Sequence, residues 1–176
     1  MKVNDSTKLK VTGDSIVDTV HYKDGRVEVI DRGHNLVVNS ILPLIQQLLK
    51  NDSTCKGIQY WAVGSGSSSW DSSAVEPQLT ETTLTKEIGR KEVSASNIKF
   101  IDSNLEETST PTNIIEVTTT FEADECNGVW REFGLFGGQA SSVINSGTMI
   151  NKKHHDVFTK TSDMVIERRI RLTISF

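Results

Sequence analysis

The sequence predicts a mainly β protein, an antiparallel β-sandwich that carries one α-helix in its N-terminal third. Three observations lead there. The closing segment, 164–176, alternates. Ile166, Ile170, Leu172, Ile174 and Phe176 share one parity, and Val165, Glu167, Arg169, Arg171, Thr173 and Ser175 share the other. Successive side chains of a strand point to opposite faces, so this pattern describes a strand with one buried and one wet face. β-Branched, Thr-rich runs recur between clusters of Gly, Asn, Asp and Ser, with only three prolines in 176 residues, which is an all-β composition. Strands and helices do not alternate along the chain, which disfavours a parallel sheet. Arg168 interrupts the apolar parity of the last segment, and this places it where that strand enters or leaves its sheet.

Residues 1–7 are polar and read as a flexible arm, and 8–12 as a short strand. Residues 15–22 alternate, Asp24-Gly25 favours the positive φ of a tight hairpin, and 26–31 returns as Arg-Val-Glu-Val-Ile-Asp, so 15–31 is a β-hairpin. Asn35-Leu36-Val37-Val38-Asn39 steps into the helix, where Asn39 or Ser40 is placed to accept from the first free amides. Ile41, Leu42, Leu44, Ile45, Leu48 and Leu49 recur at helical spacing, predicting a buried stripe. Pro43 falls in the first turn, where its missing N–H costs little, and Lys50-Asn51-Asp52 ends the helix.

Residues 57–63 read as a buried strand, 64–73 as a long exposed loop and 80–86 as a turn of helix. One long strand, straight or bulged, is expected over 88–101. An acidic loop follows at 102–112, then a strand at 113–121, a turn at 122–128 and a strand at 129–136 that pairs back on it. Residues 137–146 are loop, 148–151 a short strand and 152–162 a polar stretch before the closing strand. The sum is roughly eight or nine strands and one helix. Neither an internal repeat nor a linker divides the chain, so 1–176 reads as a single domain.

Apolar residues make up 36% and charged residues 24%, with a net charge of −4. That balance supplies no basic footprint for nucleic acid. No apolar run approaches the ~20 residues of a membrane span, and residues 1–8 lack the apolar core of a signal peptide. The expectation is a protein made in a cytoplasm that does not leave by a cleaved signal. Cys55 and Cys126 are far apart and outside any Cys-x-x-Cys pair, so both are expected as free thiols.

Candidate chemistry is sparse. Gly64-Ser65-Gly66 lacks the Lys-Ser/Thr ending of a phosphate loop and the third glycine of a dinucleotide fingerprint. His154-His155-Asp156 lacks helical ligand spacing and reads as a solvated polar loop. Glu106-Glu107 and Glu122, Asp124 and Glu125 sit in turns, as solvated charges do. Cys126 has no nearby histidine in sequence, and no Gly-x-Ser-x-Gly elbow occurs. Neither catalysis nor a metal or other cofactor is therefore expected. Arg131 and Glu132 stand out. As strand neighbours they face opposite sides, so one of them lies among apolar side chains and must be paired. Arg90, Arg168 and Arg169 are candidate partners for Glu132, in an ion pair within the chain or between subunits. Trp70, in a Ser-rich loop, is a candidate interaction surface unless it folds back on the core.

An ordered set of segments over 35–176 resembles a family of bacteriophage tail proteins, the β-rich attachment domains of tail fibres and related baseplate or collar components. Asn35-Leu36-Val37-Val38-Asn39 leads into a helix. Trp61-Ala62-Val63-Gly64-Ser65-Gly66 is similar to the family's "A-V-G-x-G" strand end. Thr83-Leu84 with Glu87 and Arg90 resembles its "T-x-L-x-x-E-x-x-R" step, and Arg131-Glu132-Phe133-Gly134-Leu135-Phe136 its "R-E-x-G-L-F" signature. Ser146-Gly147-Thr148-Met149-Ile150-Asn151 and Lys160-Thr161 precede the final strand. The resemblance implies a virion structural protein, oligomeric, that holds fibres or neighbouring components on the tail through protein contacts. The hairpin at 15–31, outside the strongest part of the match, becomes a possible docking extension. No fibre shaft or receptor tip follows Phe176, which favours an adaptor over direct host recognition. The alternative is a receptor- or glycan-binding module of a phage tail or a phage-like contractile injection device, with Tyr60, Trp61 and Trp70 as stacking faces.

Overall fold

A computed structural model describes residues 10–73 and 75–175, with the backbone alone at Ser15. The expected arm at 1–7 and the first two residues of the short strand lie outside the described residues. Among those described, the elements in chain order are β1 (Lys10–Gly13), β2 (Ser15–Tyr22), β3 (Val27–His34), β4 (Leu36–Val37), α1 (Ile41–Leu49), β5 (Lys56–Gly64), β6 (Glu87–Glu92), β7 (Ile98–Ile101), β8 (Glu107–Thr108), β9 (Ile114–Phe121), β10 (Gly128–Gly138), β11 (Thr148–Met149), β12 (Asn151–Lys160) and β13 (Met164–Ser175).

They form two antiparallel sheets. The first has the order β3-β2-β13-β9-β7-β8, with β1 also paired to β13; the second has the order β4-β12-β10-β5-β6, with β11 on β10. The main core lies between them. Ile16, Val20, Val117, Phe121, Ile166, Ile170 and Leu172 come from the first sheet, Trp61, Val63, Trp130, Phe133 and Leu135 from the second, and Ile150 from the link between β11 and β12. A smaller core of Val38, Ala62, Leu84, Phe136, Ala140 and Met149 covers the far face of the second sheet. The β-sandwich with one helix is thus present, with a further layer of loops on its second sheet.

The hairpin forms as the Asp-Gly turn predicts. Tyr22 N–H donates to Arg26 O at 2.9 Å, and Gly25 adopts φ +86°. The closing strand buries Ile166, Ile170 and Leu172 on the expected parity, while Ile174 of the same parity is exposed, and both cysteines are free thiols.

Several expectations are corrected. Residues 88–101 are two strands in different sheets: β6 lies on β5, β7 lies on β9, and a 3-10 turn at Ala95–Asn97 separates them. Residues 129–136 do not pair with 113–121. Both edges of β9 are already taken by β13 and β7, so the chain crosses at 122–127 and β10 joins the other sheet. Residues 152–160 belong to a strand, disguised because the buried positions Lys152 and Lys160 are charged. Residues 80–86 contain turns and no helix. Arg168 lies mid-strand and fully buried, opposite Asp18 of β2.

Helix α1 buries only Leu44, leaving Leu42, Leu48 and Leu49 exposed by 58%, 40% and 78%. Ser40 does not cap it; its hydroxyl donates instead to Met149 O at 2.6 Å, tying the helix start to β11.

Candidate functional site

The β10–β12 register shifts between Trp130 and Glu132: Arg131 alone stands against 155–157, so the extra residues form a bulge on β12 that faces Arg131. Such a bulge disrupts the ladder and re-aims the side chains around it. Trp130 therefore joins Phe133 and Leu135 in the main core, while Glu132 and Phe136 face the outer layer. Trp130 and Glu132, two apart on one strand, therefore face opposite sides.

Glu132 is fully buried. Its Oε2 accepts from Thr85 N–H at 2.9 Å and its Oε1 from Lys86 N–H at 2.7 Å, and Lys152 Nζ lies 3.2 Å from Oε2. Lys152 is also fully buried. It donates to Glu81 Oε1 at 2.8 Å, Thr85 Oγ1 at 3.1 Å and Thr83 O at 3.3 Å. The buried carboxylate thus has two backbone N–H donors and an ammonium beside it. Burial alone would raise the pKa of Glu81, but Lys152 and the Gln78 amide hold it below the usual range. Gly64 makes room for this arrangement: a Cβ there would lie 2.7 Å from Glu132 Oε1 and 2.8 Å from Lys86 O.

Arg90 makes a second clasp. Its Nε and Nη2 donate to the two oxygens of Glu87 at 2.6 and 2.8 Å, and its Nη1 donates to Ser141 O and Ser146 O at 2.9 and 3.0 Å. The guanidinium lies 4.7 Å over the Phe136 ring. The pair therefore fixes the 139–147 loop against β6.

Arg131 sits at the bulge and points outward. It grips Asp71 at 2.7 and 2.6 Å and Ser65 O at 3.1 Å. That grip holds the 3-10 turn at Ser68–Asp71, and Trp70 stacks on His154 with ring centroids 3.9 Å apart. The missing side chain of Gly66 allows the approach, since a Cβ there would meet the Trp70 ring at 2.3 Å. His154 Nδ1 is 2.6 Å from Val75 O, and burial lowers its pKa. Beside the stack lies an open cleft of about 310 Å³, walled by Trp70, Val75, Glu76, Arg32, His154 and His155 among others.

Arg168 belongs to a different cluster, between the sheets. Its Nε and Nη2 donate to Asp18 at 2.6 and 2.7 Å, and Arg32 Nε donates to the same carboxylate at 2.8 Å.

Of the residues singled out in the sequence, Arg131 and Glu132 are both ion-paired, but Glu132 does not pair with Arg90, Arg168 or Arg169. Its partner is Lys152, Arg90 takes Glu87, Arg168 takes Asp18 and Arg169 approaches Glu116 at 3.6 Å. Trp70 folds back on His154. His154 and His155 lie in a strand and not in a solvated loop. The missed partners had a readable trace in one case: Asp18 interrupts the parity of Ile16 and Val20 as Arg168 interrupts that of Ile166 and Ile170. Among the described residues no group of His, Cys, Asp and Glu is arranged to hold a metal ion, and no helix is long and apolar enough to cross a membrane.

No protein-family model matches this chain, and comparison with curated proteins returns no match.

Proposed function

We propose that this chain is a structural protein of a bacteriophage tail, an adaptor in the tail, baseplate or collar that attaches fibres or neighbouring components through protein contacts and performs no catalysis. One observation carries the reading. The scattered segments that resemble tail attachment domains come together on one face. Gly64, Leu84, Glu87, Arg90, Glu132, Phe136 and Met149 all lie in the outer layer of the second sheet, and their charges are spent on holding loops in place. The residues of the motif are themselves buried and fix the loops that form the surface of this face. Apolar side chains left in water elsewhere fit an assembly role: Leu42 and Leu49 on α1, Val143 and Ile144 at a loop tip, and Val27 and Val29 on the edge strand β3. Exposed edges and apolar patches are normally covered, and a partner can cover them.

In this reading the chain is made in the host cytoplasm, is carried in the virion tail as a homo-oligomer and uses its 15–31 hairpin as a docking extension. A map of the intact particle is the test. The expected result is a symmetric set of copies with neighbours on the hairpin and on α1. A chain that stays monomeric in solution and is missing from purified particles would overturn the proposal.

A second reading, a receptor- or glycan-binding module, is favoured by the cleft beside Trp70. Binding to cells or glycans that is lost in Trp70→Ala would support it over the adaptor.

A further inference from the structure

The interior between the sheets holds a cluster whose charges do not cancel. Asp18 and Arg168 are fully buried and the Arg32 side chain is 6% exposed. One carboxylate serves two guanidinium groups: Asp18 Oδ1 accepts from Arg168 Nε, and Asp18 Oδ2 accepts from both Arg168 Nη2 and Arg32 Nε. The cluster is one positive charge in excess. His155, from β12, does not offset it and stays neutral, since burial and then Arg168 and Arg32 push its pKa down to about 3. Glu28 acts on Arg32 from a distance, but it is exposed at the sheet edge and accepts the Tyr22 hydroxyl at 2.8 Å. Aromatic faces offset part of the desolvation, with Phe133 4.1 Å and Trp130 5.1 Å from the Arg168 guanidinium carbon and Phe158 4.7 Å from that of Arg32. Ring faces do not supply in-plane hydrogen-bond acceptors, and an uncompensated buried cation is strongly unfavourable.

Hydrogen bonding points the same way. Arg32 Nη2 and Arg168 Nη1 are buried and have no acceptor within the chain. Their guanidinium groups are neighbours, because both bond to the same Asp18 oxygen. Thr119, opposite Arg168 in the strand register, also has a buried hydroxyl with no partner. Buried donors are rarely left unpaired, so a non-protein acceptor is indicated. Arg32 and His155 also wall the cleft of about 310 Å³, which gives the cluster a route from solvent.

We propose that Arg32 and Arg168 bind one small monovalent anion, a halide or an ion of similar size, beneath the floor of this cleft. A single negative charge balances the cluster and supplies the missing acceptor. Asp31, Glu76 and Asp156 line the cleft beside Lys153, so a multiply charged anion is repelled at its mouth more than a monovalent one.

Bromide is the probe. In crystals of the wild-type protein grown with sodium bromide, an anomalous peak is expected in contact with both Arg32 Nη2 and Arg168 Nη1. Water at that position, with bromide only on the surface as an adventitious ion only, overturns the proposal. In solution, replacing sodium gluconate by sodium bromide at constant ionic strength is expected to raise the melting temperature by about 4 °C at tenfold excess over Kd. Arg32→Met, which leaves Asp18 and Arg168 as a one-to-one pair, is expected to abolish that rise. Arg26→Met, in the exposed hairpin turn, is expected to keep it. Absence of a bromide effect in the wild type, or an equal effect in Arg32→Met, defeats the assignment; if Arg32→Met does not fold, the anomalous map decides alone.

Discussion

The two buried charge clusters contain the same kinds of group but hold different things. Between the sheets, Asp18 joins Arg168 and Arg32, so the cluster links β2, β13 and β3 side by side in one sheet. On the outer face of the second sheet, Glu132 and Glu81 share Lys152, and Glu132 spends its remaining capacity on the amides of Thr85 and Lys86. The first cluster pins strands in register, and the second pins a long loop to a sheet. Their charge imbalance is opposite. The outer cluster has an excess carboxylate, which backbone N–H groups can satisfy locally. The inner cluster has an excess guanidinium, and its remaining N–H groups find no acceptor in the chain.

The largest expected effect breaks the inner cluster. Asp18→Ala leaves two guanidinium groups buried without a counter-charge from the chain and is expected to cost about 3–5 kcal/mol, read as a lower urea midpoint. If the loss were under about 1 kcal/mol, the cluster would not be what sets the register of β2 on β13.

Acid probes the same region with a definite sign. The pKa of His155 falls from an ordinary 6.5 to about 3 on folding, so the unfolded chain takes up a proton there that the folded chain refuses. The stability contribution is whole above pH 6.5 and is lost as pH falls toward about 3, at up to about 1.4 kcal/mol per pH unit. His154, lowered by burial, adds in the same direction. Asp18 joins only at lower pH. Burial would raise its pKa, but Arg168 and Arg32 outweigh this and hold it below 3.8, so its contribution is lost as pH drops beneath that value. Denaturation measured from pH 7 to 3 should therefore lose much of its slope in His155→Phe.

The outer cluster should respond locally. Glu132→Gln weakens two amide bonds and leaves Lys152 to Glu81; a loss of about 1–3 kcal/mol is expected. The sharper readout is hydrogen exchange, where the Thr85 and Lys86 amides should lose protection before those of β10. Gly64→Ala, which drives a methyl group toward Glu132 and Lys86 O, should loosen the same amides. The smallest effect belongs to Arg131→Ala. Its partner Asp71 is well exposed, so the unfolding midpoint should not move, while exchange in 66–73 quickens as the Trp70 turn is released.

Much of the fold was legible. The hairpin at 15–31 and the closing strand rest on alternation, and the strand at 57–63 on its run of apolar residues, signals that each segment carries within itself. Residues 152–160 were not legible as a strand, because Lys152 and Lys160 occupy buried places that the pattern expects to be apolar; their ammonium groups are satisfied by Glu132 and by the carbonyls of Glu122 and Ala123. That Trp130 and Glu132 face opposite sides was not legible, because the bulge opposite Arg131 shifts parity without leaving a mark in the residues around it. At the candidate site, the need to pair a charge at 131–132 was readable and its partner was not.

By itself the sequence determined that the chain is mainly β and where strands such as 15–22, 113–121 and 164–175 run, because the alternation of side chains is a property of neighbouring residues. It also determined that a charge beside apolar neighbours needs a counterpart. Only the tertiary structure decided which strand meets which, that β9 and β10 part into different sheets, and that Glu132 takes Lys152 while Arg168 takes Asp18. Those choices depend on which edges and which charges are already taken by distant segments, and short-range pattern carries no record of that competition.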